Sequence, residues 1–230
     1  MKRFATLFAA TLALAAFAGS ASAALRSPQV SVLGGSLQGY LNTADGGINV
    51  STDQNAAQRW AATVSNNSTF TIQVELSGNA GSNSLGLYNA SAGSPSLYQV
   101  FPGAATSGWF AVASFRTLPT RVIVNLFDAS AALQGTSTYL GADRNDFGFY
   151  ISGNGGTFYT QDSRNGSGDA QALTFAGTGI NAGSWFLAFE ETGLGNSSDQ
   201  DYDDAVLFLE SVNPTPVAKT SWGALKSRFQ

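Results

Sequence analysis

The stretch that decides the fold class is Thr69-Phe70-Thr71-Ile72-Gln73-Val74-Glu75-Leu76, in which polar and apolar residues alternate strictly. Successive side chains of a β-strand point to opposite faces of a sheet, so this alternation predicts a strand with one buried face and one solvated face. The even-numbered residues supply the apolar face. A strand of this kind is typical of an antiparallel sheet.

Similar short runs recur along the chain, separated by clusters of Gly, Asn, Ser, Pro and Asp that favour turns. The strand candidates are residues 69–76, 84–88, 97–101, 109–115, 121–127, 147–151, 157–160, 172–175, 185–189 and 205–212, with weaker ones near 30–33, 47–50 and 60–64. Many short strands without intervening helical patterns predict an all-β fold, an antiparallel β-sandwich with a jelly-roll-like architecture. Alternation is lost over residues 130–145, which indicates a long loop or an internal seam.

The N-terminus has the order of residues expected of a secretory signal. Lys2 and Arg3 precede an apolar run over residues 4–18, and small residues at 19–23 predict a signal peptide cleaved after Ala23. The apolar run is too short to span a bilayer in a mature protein. We therefore expect a secreted or cell-surface protein with a signal peptide at 1–23, a β-sandwich domain at 24–212 and no permanent transmembrane anchor.

Residues 213–230 form the third predicted region, a Pro-containing linker followed by a short helical tail. Trp222, Leu225 and Phe229 stand at helical spacing with basic residues around them. So short a helix is marginal alone in water, so we expect it to pack on the sandwich or fray. A sorting tag, or a weak basic contact with a membrane surface, is the alternative.

Composition excludes several classes of protein. The chain has no Cys and no His, which removes disulfides, the usual proton shuttle at neutral pH and the commonest transition-metal ligand. Without the predicted signal peptide, nine basic residues face 15 acidic ones, a formal net charge of −6, so we expect no nucleic-acid partner. A hard cation held by carboxylates is the remaining way to cross-link such a fold.

Acidic residues cluster near the C-terminal end of the predicted sandwich. Seven of the 15 lie between positions 190 and 210, namely Glu190, Glu191, Asp199, Asp201, Asp203, Asp204 and Glu210. In an extended chain, Asp199, Asp201 and Asp203 would point to one side, which suits the six to eight oxygen ligands of calcium. The predicted calcium ligands are Glu190, Asp199, Asp201, Asp203 and Asp204. The alternative is a solvated acidic turn that protects a sheet edge from pairing.

The same spacing matches an EF-hand superficially, because Asp199, Asp201, Asp203 and Glu210 stand at its positions one, three, five and twelve. The sixth position requires glycine for a sharp turn, and here it is Asp204. Residues 205–212 predict a strand instead of the exiting helix. We therefore interpret the match as accidental.

The acidic stretch resembles a known family. The resemblance is based on four stretches, namely Phe147-Gly148-Phe149-Tyr150, Gly156-Thr157-Phe158-Tyr159-Thr160, Trp185-Phe186-Leu187-Ala188-Phe189-Glu190 and Ser198-Asp199-Gln200-Asp201-Tyr202-Asp203-Asp204-Ala205-Val206. This pattern resembles the bacterial domain of unknown function 4114, and the resemblance covers most of residues 69–212. In that family's motif Asp203 stands at a usual Asn and Gln200 at a usual Arg. The resemblance implies an exported or surface protein with a calcium loop, and it supplies no activity.

The sequence therefore predicts an exported, non-catalytic, calcium-stabilised β-sandwich with a structural, adhesive or extracellular-matrix role. Its candidate partners are polysaccharide and surface or matrix proteins. One alternative is a carbohydrate-binding module that uses exposed aromatic residues, namely Trp109, Tyr150, Tyr159 and Trp185. A carboxylate-dependent glycoside hydrolase, with a pair drawn from residues such as Glu75, Glu190 and Glu191, is the second alternative.

Overall fold

The computed structural model describes residues 36–75, 80–195 and 198–215. The predicted signal peptide, the strand candidate near 30–33 and the tail from residue 216 onward lie outside the described residues. The strands are β1 Trp60–Ala62, β2 Asn67–Glu75, β3 Ser84–Asn89, β4 Leu97–Phe101, β5 Phe110–Thr117, β6 Thr120–Phe127, β7 Leu133–Leu140, β8 Phe147–Gly153, β9 Gly156–Tyr159, β10 Ala172–Ala176, β11 Trp185–Phe189, β12 Ala205–Glu210 and β13 Val212–Pro214. The described residues also contain one α-helix, α1 Leu37–Ala44, which precedes β1, and short 3-10 turns at Ala80–Ser82, Asp162–Arg164, Gly166–Gly168 and Gly179–Asn181.

The strands form two antiparallel sheets packed against each other, which confirms the predicted all-β sandwich. The large sheet has the order β10-β11-β12-β2-β5-β6-β7. The small sheet has the order β13-β1-β8-β3-β4, with β9 also paired to β8. Within the described residues, no helix is long and apolar enough to cross a membrane.

Aromatic rings fill the space between the two sheets. Phe149 of β8 is 1% exposed, and its ring meets those of Trp60, Phe70 and Phe147 with centroid distances of 5.1, 5.2 and 5.8 Å. All three contacts are edge-on, the geometry that aromatic pairs favour. These rings come from both sheets, so they hold the two layers together.

A second apolar cluster covers the other face of the large sheet at β10, β11 and β12. Leu37 and Leu41 of α1 pack there, together with Ile48 and Val50 from the segment after the helix. As a result β11 is buried on both faces, which explains its unbroken apolar sequence. Two sequence expectations are wrong here: α1 was not predicted, and residues 47–50 form no strand, because their apolar side chains cover a sheet instead of joining one.

Two further expectations are corrected by the strands themselves. Residues 133–140, predicted to lie in a loop or seam, form the edge strand β7, which shows no burial alternation because it is exposed along most of its length. Asn213 and Pro214, assigned to the linker, continue the small sheet as β13.

Candidate metal centre

The acidic residues lie in the connection between two neighbouring strands. Residues 190–204, called the acidic loop below, join β11 to β12, and Phe189 pairs directly with Ala205. Glu190 and Asp204 therefore leave adjacent strands at the same end of the large sheet. This topology brings all five predicted ligands into one loop.

Two side chains that sequence reasoning missed fix the loop to the chain before β10. The buried amide of Gln171 donates to the carbonyl oxygen of Thr192 at 2.7 Å and accepts from the N–H of Leu194 at 3.0 Å. The hydroxyl of Tyr202, which is fully buried, donates to the carbonyl oxygen of Ala170 at 2.6 Å. Neither residue carries a local sequence signal for this role, because its partners depend on how the strands assemble.

The backbone near the aspartates is not extended. Gln200 and Tyr202 have φ values of 59° and 56°, in the left-handed region that residues other than glycine rarely adopt. The expectation that Asp199, Asp201 and Asp203 line one side of an extended chain is therefore wrong. In this turned segment Asp203 faces Ser36, whereas Asp199 and Asp201 do not.

Three of the five predicted ligands converge. Each of Glu190, Asp199 and Asp201 places a carboxylate oxygen so that all three atoms lie within 4.8 Å of one another. Glu190 is 1% exposed and Asp201 is 9% exposed, whereas Asp199 faces solvent. Two oxygens bound to one calcium ion at 2.3–2.6 Å are separated by at most about 5 Å, so this spacing suits a single calcium ion.

Concentrated negative charge is costly at this position. Two unit charges 4.8 Å apart repel by about 3–4 kcal/mol at an effective dielectric constant near 20. Among the described residues, no basic side chain forms an ion pair with any of the five carboxylates; the ion pair between Arg59 and Asp146 lies elsewhere. Within the part of the chain that the structure describes, a proton or a bound cation is the remaining way to balance this charge.

Burial and mutual repulsion both raise the pKa values of carboxyls in the acidic loop. Burial, followed by the negative charges of Asp204 and Asp199, raises the pKa of Glu190 to about 7, although a hydrogen bond from Ser198 opposes the rise. Burial also raises the pKa of Asp204 to about 6, with Glu191 and Asp201 adding to the effect. The pKa of Asp201 is raised by burial and by the neighbouring aspartates. The loop is therefore prone to hold a proton near neutral pH when no cation is bound.

The other two predicted ligands have partners within the protein. Asp203 Oδ2 accepts hydrogen bonds from the backbone N–H and the hydroxyl of Ser36, at 2.8 and 2.7 Å, directly before α1. Asp204 Oδ2 accepts from the backbone N–H of Glu191 at 2.7 Å. Asp203 thus connects the acidic loop to the start of α1. Asp204, at the end of the acidic loop, binds the backbone of Glu191 near its beginning.

The hydrogen bonds between Asp203 and Ser36 predict different costs for two substitutions of Asp203. Asp203→Ala should lower the free energy of unfolding by about 1–3 kcal/mol, because it leaves the Ser36 donors without their acceptor. Asp203→Asn retains an acceptor oxygen and should cost less. Urea unfolding measures both variants, and equal stability of Asp203→Ala and the wild-type protein would contradict this role.

Other candidate residues lie away from the cluster. Glu210 is exposed at the opposite end of β12, and the strand that it ends confirms that no EF-hand helix follows the aspartates. The predicted exposure of the aromatic residues is wrong for two of them, because Trp185 and Tyr150 are only 6% and 3% exposed. Trp109 and Tyr159 are half-buried. These rings mainly serve packing.

Comparisons of the chain with protein-family models, with curated proteins and with solved structures return no significant match. The resemblance to the domain of unknown function 4114 therefore stays a prediction based on the acidic motif. The exported location and the calcium loop that it implies also stay predictions.

Proposed function

We propose that this chain is an exported, non-catalytic β-sandwich that calcium stabilises at the acidic loop. The observation that carries the proposal is the convergence of carboxylate oxygens from Glu190, Asp199 and Asp201 within 4.8 Å, with two of these residues buried. The repulsion and the raised pKa of Glu190 supply the electrostatic reason for a bound cation.

Calcium fits the donor set better than other common cations do. The loop offers carboxylate and backbone oxygens, and the chain has no His or Cys with which to bind zinc or copper. Magnesium demands nearly ideal octahedral geometry and gives up its water reluctantly, whereas calcium accepts irregular shells of six to eight oxygens. Backbone carbonyls and water would complete the shell around the three carboxylates.

The proposed ion has a structural role because of what the loop contacts. Asp201 and Asp203 are two residues apart, and Asp203 binds Ser36 at the start of α1. A cation on Asp201 would fix the loop, and the loop would hold the helix that covers β10 to β12. Such a stabilised surface suits a structural, adhesive or matrix role with polysaccharide or surface-protein partners.

Thermal unfolding with calcium or with chelator tests the proposal. Calcium at about 100 times its dissociation constant should add about 2.7 kcal/mol, which raises the midpoint by about 5–10 °C for a chain of this size. Asp201→Asn and Glu190→Gln should each remove most of this rise. Isothermal titration should show binding to the wild-type protein but not to these two variants.

Glu210→Gln is the matched control, because it makes the same chemical change at the opposite, exposed end of β12. This variant should respond to calcium as the wild-type protein does. A wild-type midpoint that is the same in calcium and in chelator, together with no heat of binding, would exclude the proposed site.

A further inference from the structure

The edge strand β7 is an unused hydrogen-bonding surface among the described residues. Its eight residues pair with β6 on one side, and no described segment pairs with the other side. All but one of its residues are exposed, including Leu133 at 59% and Leu140 at 69%. A free strand edge presents a row of unpaired N–H and C=O groups to any strand of suitable shape.

The other sheet edges carry features that discourage pairing. In the large sheet, the outer edge of β10 is occupied by Asn55, which forms an isolated antiparallel β-bridge with Thr174. The hydroxyl of Thr174 also donates to the carbonyl oxygen of Asn55 at 2.9 Å. In the small sheet, β9 and β13 have only four and three residues, and Pro102 directly follows the five residues of β4. Short strands and prolines are the usual protections of an edge, whereas β7 has eight residues with no proline and no charge.

We propose that β7 pairs antiparallel with β7 of a second copy of this chain, so that the two large sheets become continuous. The orientation of its backbone groups sets the possible registers. The N–H of Gly141 donates to the carbonyl oxygen of Thr120 at 2.8 Å, so odd-numbered residues of β7 face β6. Backbone groups alternate in direction along an antiparallel strand, so those of Thr136 and Thr138 point away from the sheet.

Symmetry narrows the register further. A twofold axis perpendicular to the joined sheet keeps each residue on its own face, so opposing residues must both be even-numbered or both odd-numbered. A twofold axis at Ser137 pairs the largest part of β7 that is regular. The pairing of β7 with β6 is irregular only next to the hairpin, between Leu126 and Phe127. Thr136 of one copy then exchanges hydrogen bonds with Thr138 of the other.

Charge complementarity favours a second copy as the partner. Asp128 lies at the hairpin between β6 and β7, where Gln134 donates to its carboxylate at 2.5 Å. Arg121 lies at the other end, paired with Leu140. In the proposed register Gln134 faces Leu140 of the second copy, and the partner's Arg121 lies one strand further on, about 10 Å from Gln134 on the same face. Each Asp128 therefore lies at the same end of the joined sheet as the partner's Arg121, and the twofold axis produces this arrangement twice.

Single cysteines test the register without background, because the chain has none of its own. Opposing residues of a non-hydrogen-bonded pair have Cα atoms about 4.5 Å apart, within the range of a disulfide. Ser137→Cys in the purified full chain should therefore form a covalent dimer under mild oxidation. Thr136→Cys should cross-link poorly, since its symmetry mate lies diagonally at about 7–8 Å. Val64→Cys, 96% exposed at a distant turn, measures random collision.

Thr138→Pro provides the second test. It removes one outward N–H while keeping every hydrogen bond to β6, which an edge strand tolerates. Sedimentation should show a concentration-dependent dimer for the wild-type protein and for Thr138→Val, and loss of that dimer for Thr138→Pro. Cross-linking in chelator should equal that in calcium, so the result is independent of the proposed metal. A protein that stays monomeric, or a dimer that Thr138→Pro leaves intact, would overturn the pairing.

Discussion

Without calcium, this protein should gain stability as the pH falls from 7.5 to 5.5, with a rise of about 5–10 °C in its unfolding midpoint. Most proteins change little or lose stability over this interval. The unusual direction follows from Glu190 and Asp204, whose pKa values are raised by burial to about 7 and about 6, from 4.5 and 3.8. Thermal unfolding in chelator at several pH values measures the effect.

The sign follows from comparing the folded and unfolded chains. A carboxyl with a higher pKa in the folded chain binds its proton more tightly there, so acidification through the interval between the two pKa values favours folding. For Glu190 this interval runs from about 7 down to 4.5. Together the two carboxyls should contribute about 2–3 kcal/mol between pH 7.5 and 5.5.

Carboxyls with lowered pKa values set the lower limit of this gain. Burial raises the pKa of Asp45, but hydrogen bonds from Thr178, Asn181 and Gly47 together bring it below its ordinary value. The pKa of Asp128 is lowered, chiefly by the hydroxyl of Ser130. Such groups stabilise the fold above their ordinary pKa and lose that contribution as the pH falls further. The calcium-free protein should therefore be most stable at about pH 4–6.

Glu190→Gln separates this effect from general acid behaviour. The substitution keeps the size of the side chain but cannot ionise, so it should raise the midpoint at pH 7.5 in chelator and remove most of the gain on acidification. Glu210→Gln should behave as the wild-type protein does. Calcium should reverse the wild-type trend, because protons then compete with the ion. A steady loss of wild-type stability from pH 7.5 to 5.5 in chelator would contradict the assignment.

The sequence predicts those parts of the fold in which local pattern and burial agree. Most strand candidates correspond to strands, and residues 205–212 are correctly distinguished from an EF-hand helix. Strand β7 was missed because it has no buried face to impose alternation. Helix α1 was missed because its eight residues owe their position to contacts with distant strands, through Leu37 and Leu41. Such contacts leave no periodic signal in a short segment.

For the candidate site, the composition of the sequence predicts the location, whereas the geometry depends on tertiary contacts. Charge clustering predicts which loop matters, because unbalanced carboxylates in one short stretch need a physical compensation. It does not predict which carboxylates meet. Asp201 lies beside Glu190, whereas Asp203 accepts a hydrogen bond from Ser36. This arrangement depends on the left-handed backbone of Gln200 and Tyr202 and on the hydrogen bond from Gln171 to Thr192. These choices depend on tertiary contacts across more than a hundred residues.

Phe149→Ala should lower the free energy of unfolding by about 3–5 kcal/mol, because it removes a buried ring and leaves a cavity that rigid neighbours fill only partly. Phe149 is 1% exposed and touches rings from both sheets. Phe127→Ala is the matched control, since Phe127 is half-buried and its one ring contact among the described residues is with Phe110, and it should cost much less.

Calcium distinguishes this core effect from the effects of the acidic loop. Phe149 belongs to β8 of the small sheet, whereas the proposed ligands follow β11 of the large sheet. Phe149→Ala should therefore unfold at a lower temperature in chelator and in calcium alike, with the calcium-induced rise unchanged from the wild-type value. Glu190→Gln should show the opposite combination, a higher midpoint in chelator and no rise with calcium. If Phe149→Ala lost the calcium response while still folded, the ion would depend on the packing between the sheets, and a site confined to the loop would be wrong.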